Sequence, residues 1–238
     1  MIPPGPVLVL FDVDGTLIAP RGLGRRALEQ AASGLGLRGA PLEIGDLAGN
    51  TDPVILQALA RAWGGGPEQE RKLRLAYLRL MRHELGPAGR RSIRILAGAS
   101  ALVRRLAREP HVLLGLATGN LRQVARLKLE AVRLWPAFRC GGFGSDHPDR
   151  SDIVRCAVRR AQRLSRGVRA QATVVIGDTP RDVAAARAAG ARAVAVASGP
   201  YSRAELAVAG PDLLLGSLRG SARLLRLVRR LGDDGGVG

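Results

Sequence analysis

Val7-Leu8-Val9-Leu10-Phe11-Asp12-Val13-Asp14-Gly15-Thr16-Leu17 carries the pattern on which the fold turns: an unbroken apolar run that gives way to two aspartates. A run this short, ended by acidic residues, reads as a buried strand rather than as the core of a signal peptide. It is also far below the roughly 20 residues that a membrane-spanning helix needs. In an extended chain Asp12 and Asp14 fall on the same side. Two carboxylates placed together are costly unless a cation lies between them.

Working outward, further apolar runs occur at His111 to Ala117, Thr173 to Ile176 and Ala193 to Ala197, with a shorter one at Asp212 to Leu215. Each is followed by Gly, Asp, Thr or Ser. Helical spacing of apolar residues separates them, at Ala101 to Arg108, Leu121 to Leu134, Ile153 to Leu164 and Asp182 to Ala189. Buried strands alternating with helices predict an α/β fold with a Rossmann-like, doubly wound parallel sheet. Ligands of such sheets bind beyond the carboxyl ends of the strands. Those ends carry Asp12, Thr118 and Asp178.

No strand is expected between the first two runs. Arg25 to Ser33, Pro53 to Trp63 and Pro67 to Leu85 read as helices, punctuated by Gly64-Gly65-Gly66 and Gly86-Pro87-Ala88-Gly89. The pattern predicts an inserted helical cap domain over 18–92 and a catalytic core built from 1–17 and 93–238. The arginine-rich stretch Arg219 to Arg230 reads as an amphipathic helix with its apolar side on the core. The Gly- and Asp-rich tail, Gly232 to Gly238, is expected to fray.

The chain has 238 residues, 46% of them hydrophobic, enough for a sizeable core. Cys140 and Cys156 are its only cysteines, without metal-type spacing, so neither a disulfide framework nor a zinc site is expected. A soluble cytoplasmic protein with no membrane association is the expectation. The formal net charge of +17 invites a nucleic-acid reading. It is carried by scattered arginines, with Lys72 and Lys128 the only lysines, and aromatics at 3% are too few for stacking platforms. The charge therefore suits attraction of small anions better than a nucleic-acid partner. Oligomeric state is not readable from these features.

Two further segments complete a constellation. Ala117-Thr118-Gly119-Asn120 places a hydroxyl, a glycine and the N–H groups of a helix start together, which is an anion site. Ile176-Gly177-Asp178-Thr179-Pro180-Arg181-Asp182 adds two carboxylates at another strand end. Oxygen donors of this kind suit Mg²⁺. Alone, each segment has a plainer reading: Asp-x-Asp as a turn, Thr118 and Asp182 as helix caps. Together, each after its own apolar run, they form a set that turns and caps do not explain.

The set resembles the haloacid dehalogenase-like hydrolase superfamily. Asp12-Val13-Asp14-Gly15-Thr16 matches its nucleophile motif, Thr118 its Thr/Ser motif and Gly177 to Asp182 its acidic motif. Within it the chain looks most like the phosphoglycolate phosphatase-like branch with a C1-type helical cap; Gly49 to Pro53 and Phe143 to Asp146 add to the likeness. The resemblance implies a Mg²⁺-dependent phosphatase acting on a small phosphomonoester through an aspartyl-phosphate. Asp12 would be the nucleophile and Asp14 the general acid and base. Asp12, the Asp14 backbone carbonyl, Asp178 and Asp182 would hold Mg²⁺. Thr118 and Gly119 would hold the phosphoryl oxygens, with Thr16 and Asn120 supporting.

The family's usual lysine before the acidic motif is missing. Arg150, in His147-Pro148-Asp149-Arg150-Ser151-Asp152, occupies the matching place and stays charged. Lys128, mid-helix, is expected on the surface. His83 and His147 read as structural or exposed, and Arg21, Arg25, Asn50 and Thr51 as cap residues within reach of a cleft. A sugar-phosphate mutase of the same family, resembling β-phosphoglucomutase, shares these motifs. Asp14 argues against a dehalogenase or a phosphonate hydrolase. A non-catalytic anion- or nucleic-acid-binding protein would leave the clustered carboxylates unexplained.

Overall fold

The computed structural model describes residues 5–37, 49–86, 93–165 and 167–235. Eight strands and nine α-helices lie within them. The strands are β1 (Val7–Phe11), β2 (Ile18–Ala19), β3 (Arg94–Ile95), β4 (Val112–Thr118), β5 (Cys140–Phe143), β6 (Thr173–Gly177), β7 (Arg192–Val196) and β8 (Leu213–Leu215). The helices are α1 (Leu23–Gly34), α2 (Asp52–Ala62), α3 (Pro67–Glu84), α4 (Ala99–Leu106), α5 (Arg122–Ala131), α6 (Arg150–Leu164), α7 (Pro180–Ala188), α8 (Arg203–Val208) and α9 (Ala222–Gly235).

Six strands form one parallel sheet in the order β5-β4-β1-β6-β7-β8. Every residue of β1 is fully buried, as the unbroken apolar run requires of a strand covered on both faces. Val7, Val9 and Phe11 pack into one core cluster, while Leu8 and Leu10 pack into the other. That alternation is the two-residue period of a strand. The chain adds β4 and β5 on one side of β1, then crosses to add β6, β7 and β8 on the other. Asp12 therefore stands at the topological switch point, where such sheets bind ligands.

A strand end is expected at Phe143-Gly144, and β5 does end there, but Cys140-Gly141-Gly142-Phe143 has no apolar run to mark its extent. Its glycines serve packing instead: a Cβ on Gly142 would stand 1.9 Å from the Ile153 carbonyl, so only glycine lets α6 lie this close. The six-residue α8 also escaped the apolar pattern, although its Ser202–Glu205 capping box is legible. The tail differs from expectation as well, since α9 continues to Gly235; Gly236 to Gly238 lie outside the described residues, as do Pro87 to Gly89.

β2 and β3 pair antiparallel, tying the chain together where it leaves the sheet and where it returns. Between them α1 and α2 pack on α3, and α3 rests on α5 of the sheet domain. Leu56, Leu73, Tyr77 and Met81 of this insertion share one buried cluster with Phe11 and Val124. The insertion is thus seated over the carboxyl ends of the strands by apolar burial. No described helix is long and apolar enough to cross a membrane.

Candidate active site

Three strand ends supply the polar groups, and nearly all are buried. Asp12 follows β1, Thr118 ends β4 and Asp178 follows β6; they are 5%, 1% and 2% exposed. Asp12, Asp178 and Asp182 bring carboxylate oxygens within 4.8 Å of one another. Burial, with Asp12 and Asp182 beside it, pushes the Asp178 carboxyl well above its usual range. Asp12 is raised to about 7, first by burial and then by Asp182 and Asp14, against the opposing pull of Arg150.

These oxygens fit a hard divalent cation. Three carboxylates are too many for one guanidinium to neutralise, and Mg²⁺ takes oxygen donors of this type. The surroundings are shaped for the group: Gly15 and Gly199 pack so closely on Asp178 that an added Cβ would lie 2.1 Å and 1.7 Å from its Oδ2. Gly15 also has a φ of +81°, which glycine adopts freely. The Thr16 hydroxyl donates to Asp178 Oδ1 at 3.0 Å, so it orients this carboxylate.

Arg150 lies on the same trio. Its Nη2 is 3.2 Å from Asp12 Oδ1 and also pairs with Asp182 Oδ1. Burial works against its charge, but Asp182 and Asp12 hold its pKa above the ordinary arginine value. It stands on the first turn of α6, where the Asp149 side chain caps the helix by accepting from the N–H groups of Ser151 and Asp152 at 2.7 and 3.3 Å. Asp182 is anchored by the other helix start, since its Oδ2 accepts from the Thr179 N–H and hydroxyl at 3.0 and 2.7 Å.

The Asp14 carboxylate goes elsewhere. Its Oδ2 accepts from Lys128 Nζ at 2.5 Å and from Asn120 Nδ2 at 3.0 Å, while its Oδ1 is buried without a hydrogen bond. Lys128 also donates to Asn120 Oδ1 at 2.6 Å. The expectation of a surface Lys128 is therefore wrong: the residue is 2% exposed. Val124, Ala125, Lys128 and Leu129 form the buried face of α5, and its position on that apolar face was the signal that could have found it. With two cations present, the two aspartates of one motif are sorted into different environments: Asp12 with Arg150 and the other carboxylates, Asp14 with Lys128.

A second correction concerns the helix start after Thr118. Its N–H groups are not free for an anion. Asn120 N donates to Thr118 Oγ1, Leu121 N to Asp52 Oδ2 at 2.7 Å, and Arg122 N to Ser145 Oγ at 2.9 Å. Asp52 comes from the insertion, and its own N–H donates to the Gly119 carbonyl at 2.8 Å. Burial raises the Asp52 carboxyl to about 6, with Lys128 lowering it. Thr51 donates to the Pro148 carbonyl at 3.0 Å, and Gly49 offers its carbonyl to Arg150 at 3.4 Å. The segment 49–52 thus clasps both the Gly119 loop and the start of α6.

A cavity of about 510 Å³ opens between the sheet and the insertion. Asp12, Asp14, Gly119, Asn120, Lys128, Arg150 and Asp178 line it, together with Arg21, Arg25, Asn50 and Tyr77 of the insertion. Thr118, Thr51 and Asp182 do not. His83 and His147 are also absent from it; each faces a neighbouring carboxylate, Glu84 and Asp152, at a half-exposed or exposed position.

A family described as HAD-hydrolase-like matches residues 151–221. A phosphoglycolate phosphatase of Cereibacter sphaeroides is 29% identical over 187 residues, which cover 77% of this chain and 82% of that protein. A hydrolase from Pseudomonas syringae shares the fold at a TM-score of 0.72 with 24% identity, over 93% of this chain and 99% of that one. A mutant CbbY from Rhodobacter sphaeroides, in complex with xylulose-(1,5)-bisphosphate, does so at 0.70 with 23% identity, over 90% and 96%.

Proposed function

The chain belongs to the haloacid dehalogenase-like hydrolase superfamily, and from that premise we propose that it is a Mg²⁺-dependent phosphatase of a small phosphomonoester, working through an aspartyl-phosphate on Asp12. The observation that carries this reading is the sorting of Asp12 and Asp14 between two cations. Nucleophilic catalysis by a carboxylate needs one group ionised and held against the phosphorus, and a second with an oxygen left to exchange a proton with the leaving oxygen. Asp14 Oδ1 is such an oxygen, while Oδ2 stays on Lys128 and Asn120. An Asp12 oxygen attacks phosphorus as the ester oxygen leaves, and Asp14 gives that oxygen its proton. Asp14 then takes a proton from the water that cleaves the acyl phosphate, restoring Asp12 and releasing phosphate. Arg150 and the Gly119 loop hold the phosphoryl oxygens in line.

Asp12, Asp178 and Asp182, with the Asp14 backbone carbonyl, would hold Mg²⁺, whose charge offsets that of the phosphoryl group. The insertion acts as a cap over residues 18–92, closing the cavity from water. The named relative makes 2-phosphoglycolate the first substrate to try, and the bisphosphate seen with CbbY the second. Free Cys140 and Cys156 are consistent with a cytoplasmic setting. Phosphate release from a panel of small phosphomonoesters, with and without Mg²⁺, tests the whole reading; no release from any member would end it. A mutase would instead isomerise a hexose 1-phosphate without net release.

The metal assignment has a pH signature. Asp12 stands at about 7 in the folded chain, against an ordinary value near 3.8. A raised folded value adds stability that is complete below about pH 4 and is lost as pH rises through about 7. Mg²⁺ requires the ionised carboxylates, so its effect runs the other way. The rise in Tm on adding Mg²⁺ should therefore grow from about pH 5 to about pH 8. A shift that stays flat or shrinks over this range would take Asp12 out of the metal group. EDTA should stop turnover and Mg²⁺ restore it. Ca²⁺ should not, because it takes more oxygen ligands at longer distances than Mg²⁺ and would fit this site differently.

Lys128 is a positioning residue for Asp14. Lys128→Ala should slow alkyl phosphates at least about tenfold more than p-nitrophenyl phosphate, since a nitrophenolate leaves without help from an acid. Equal losses on both substrates would reduce Lys128 to a structural role.

A further inference from the structure

We propose that the cleft between α4 and α9 is a second anion site, built for a small polyphosphate ligand. A cavity of about 520 Å³ lies there. None of its lining residues lines the cavity over Asp12, so this site stands apart from the phosphatase reading. Both helices pack on the face of the sheet that carries Val7, Val9 and Phe11, with Leu102, Leu106, Leu224 and Val228 buried in that cluster.

Four arginines surround the cleft: Arg105 of α4, Arg219 of the loop before α9, and Arg226 and Arg229 of α9. No acidic side chain among the described residues lines it. The side chains of Arg105, Arg219 and Arg226 make no hydrogen bond or ion pair among the described residues. Arg229 reaches Glu109 only at 3.8 Å. Arginines elsewhere are closely paired, as Arg71 is with Glu68 at 2.9 Å and Arg192 with Asp212 at 3.1 Å. Charge of one sign around a concavity focuses the field within it and raises the local concentration of the opposite ion. An anion carrying several charges relieves the mutual repulsion of these groups best.

The backbone adds to that field. α4 and α9 both begin at this cavity, beside Gly98 and Ser221, and neither has an acidic residue in its first turn to oppose the positive end of its dipole. The loop that carries Arg219 is seated on the start of α4, since a Cβ on Gly98 would lie 2.3 Å from the Arg219 nitrogen. Only glycine permits that approach, and its φ of +87° is one that glycine adopts freely. Arg219 is thereby fixed at the rim. Leu102, Leu218 and Leu225 are buried and give the cleft an apolar floor. Guanidinium forks grip phosphate oxygens in pairs, and a concavity of this size takes a small ligand rather than the flank of a duplex or a membrane. A polyphosphate chain meets the arginines, and an attached nucleoside would find the floor.

Titration calorimetry of the full chain tests this, in EDTA and at about 0.15 M salt, where distant charges are screened. The probes are inorganic phosphate, tripolyphosphate and ATP. Tripolyphosphate should bind at least about tenfold tighter than phosphate, since it engages several guanidinium groups at once. ATP binding tighter still identifies a nucleotide as the ligand; ATP binding equally or more weakly identifies inorganic polyphosphate. Arg105→Gln combined with Arg226→Gln should weaken tripolyphosphate at least about tenfold. Arg104→Gln combined with Arg108→Gln removes the same charge from exposed positions off the cleft and should weaken it less than about twofold. Circular dichroism checks that each variant folds, and Arg219→Gln, in the loop, should weaken binding about threefold or more if the first pair does not. Equal losses in the two pairs would mean diffuse attraction by a chain of net charge +17 and would overturn the site. So would tripolyphosphate binding no tighter than phosphate, or binding that Arg150→Ala abolishes and the cleft variants leave intact, which places the anion over Asp12 instead.

Discussion

Asp12→Asn is expected to fold as the wild type does and to release no phosphate. The amide is nearly isosteric with the carboxylate but is far too weak a nucleophile to form the acyl phosphate. The fold should not suffer, because the site does not favour a charge at this position without a cation. Burial and two neighbouring carboxylates already raise the Asp12 pKa to about 7. Removing that charge should therefore leave Tm in EDTA unchanged or higher at about pH 8, while the increase caused by Mg²⁺ falls. A folded Asp12→Asn chain that releases phosphate near the wild-type rate would sink the mechanism. Loss of folding in the same variant would contradict the electrostatic account of the site.

The second large effect belongs to Arg150. Arg150→Ala should lower kcat by roughly a hundred- to a thousandfold, the usual consequence of losing a transition-state charge worth about 3–4 kcal/mol. The side chain joins the Asp12 and Asp182 carboxylates, and Gly49 from the insertion accepts from it. Its loss leaves buried carboxylates short of a partner, so folding must be checked by circular dichroism in Mg²⁺. Arg150→Lys keeps the charge but not the planar fork and should recover part of the rate. Lys128 cannot serve as the neutral control, since its ammonium sits on Asp14. Lys72, exposed on α3 and 3.7 Å from Glu68, can, and Lys72→Ala should change little. Near-wild-type kcat in a folded Arg150→Ala chain would remove Arg150 from the phosphoryl site.

The sheet was legible because a parallel strand buried on both faces must be apolar throughout. Val7–Phe11 could be read to the residue for that reason. β4, β6, β7 and β8 were legible to within a residue or two at each end. The carboxylates at the strand ends were legible for a related reason, since a charge directly after a buried run marks where the chain meets the ligand side of the sheet. Of β5 only the end at Phe143-Gly144 was legible, because its glycines answer to the close approach of α6, a tertiary demand with no apolar signature.

By itself, then, the sequence determined the α/β class, the helical insertion, and Asp12, Asp14 and Asp178 as one constellation, because strand periodicity and acidic run-ends are local properties; Arg150 came only from the family resemblance, at the place of the missing lysine. Only the tertiary structure decided which cation meets which carboxylate. A lysine on the apolar face of α5 and an arginine at the start of α6 are 22 residues apart in the chain, and neither spacing nor composition says what they face. Packing of α3 on α5 and the clasp of Asp52 on Leu121 bring the insertion onto the strand ends. The same burial that excludes water makes an unpaired charge too costly to leave. That cost is what sorts Lys128 to Asp14 and Arg150 to Asp12 and Asp182, and it exists only once the chain has folded around them.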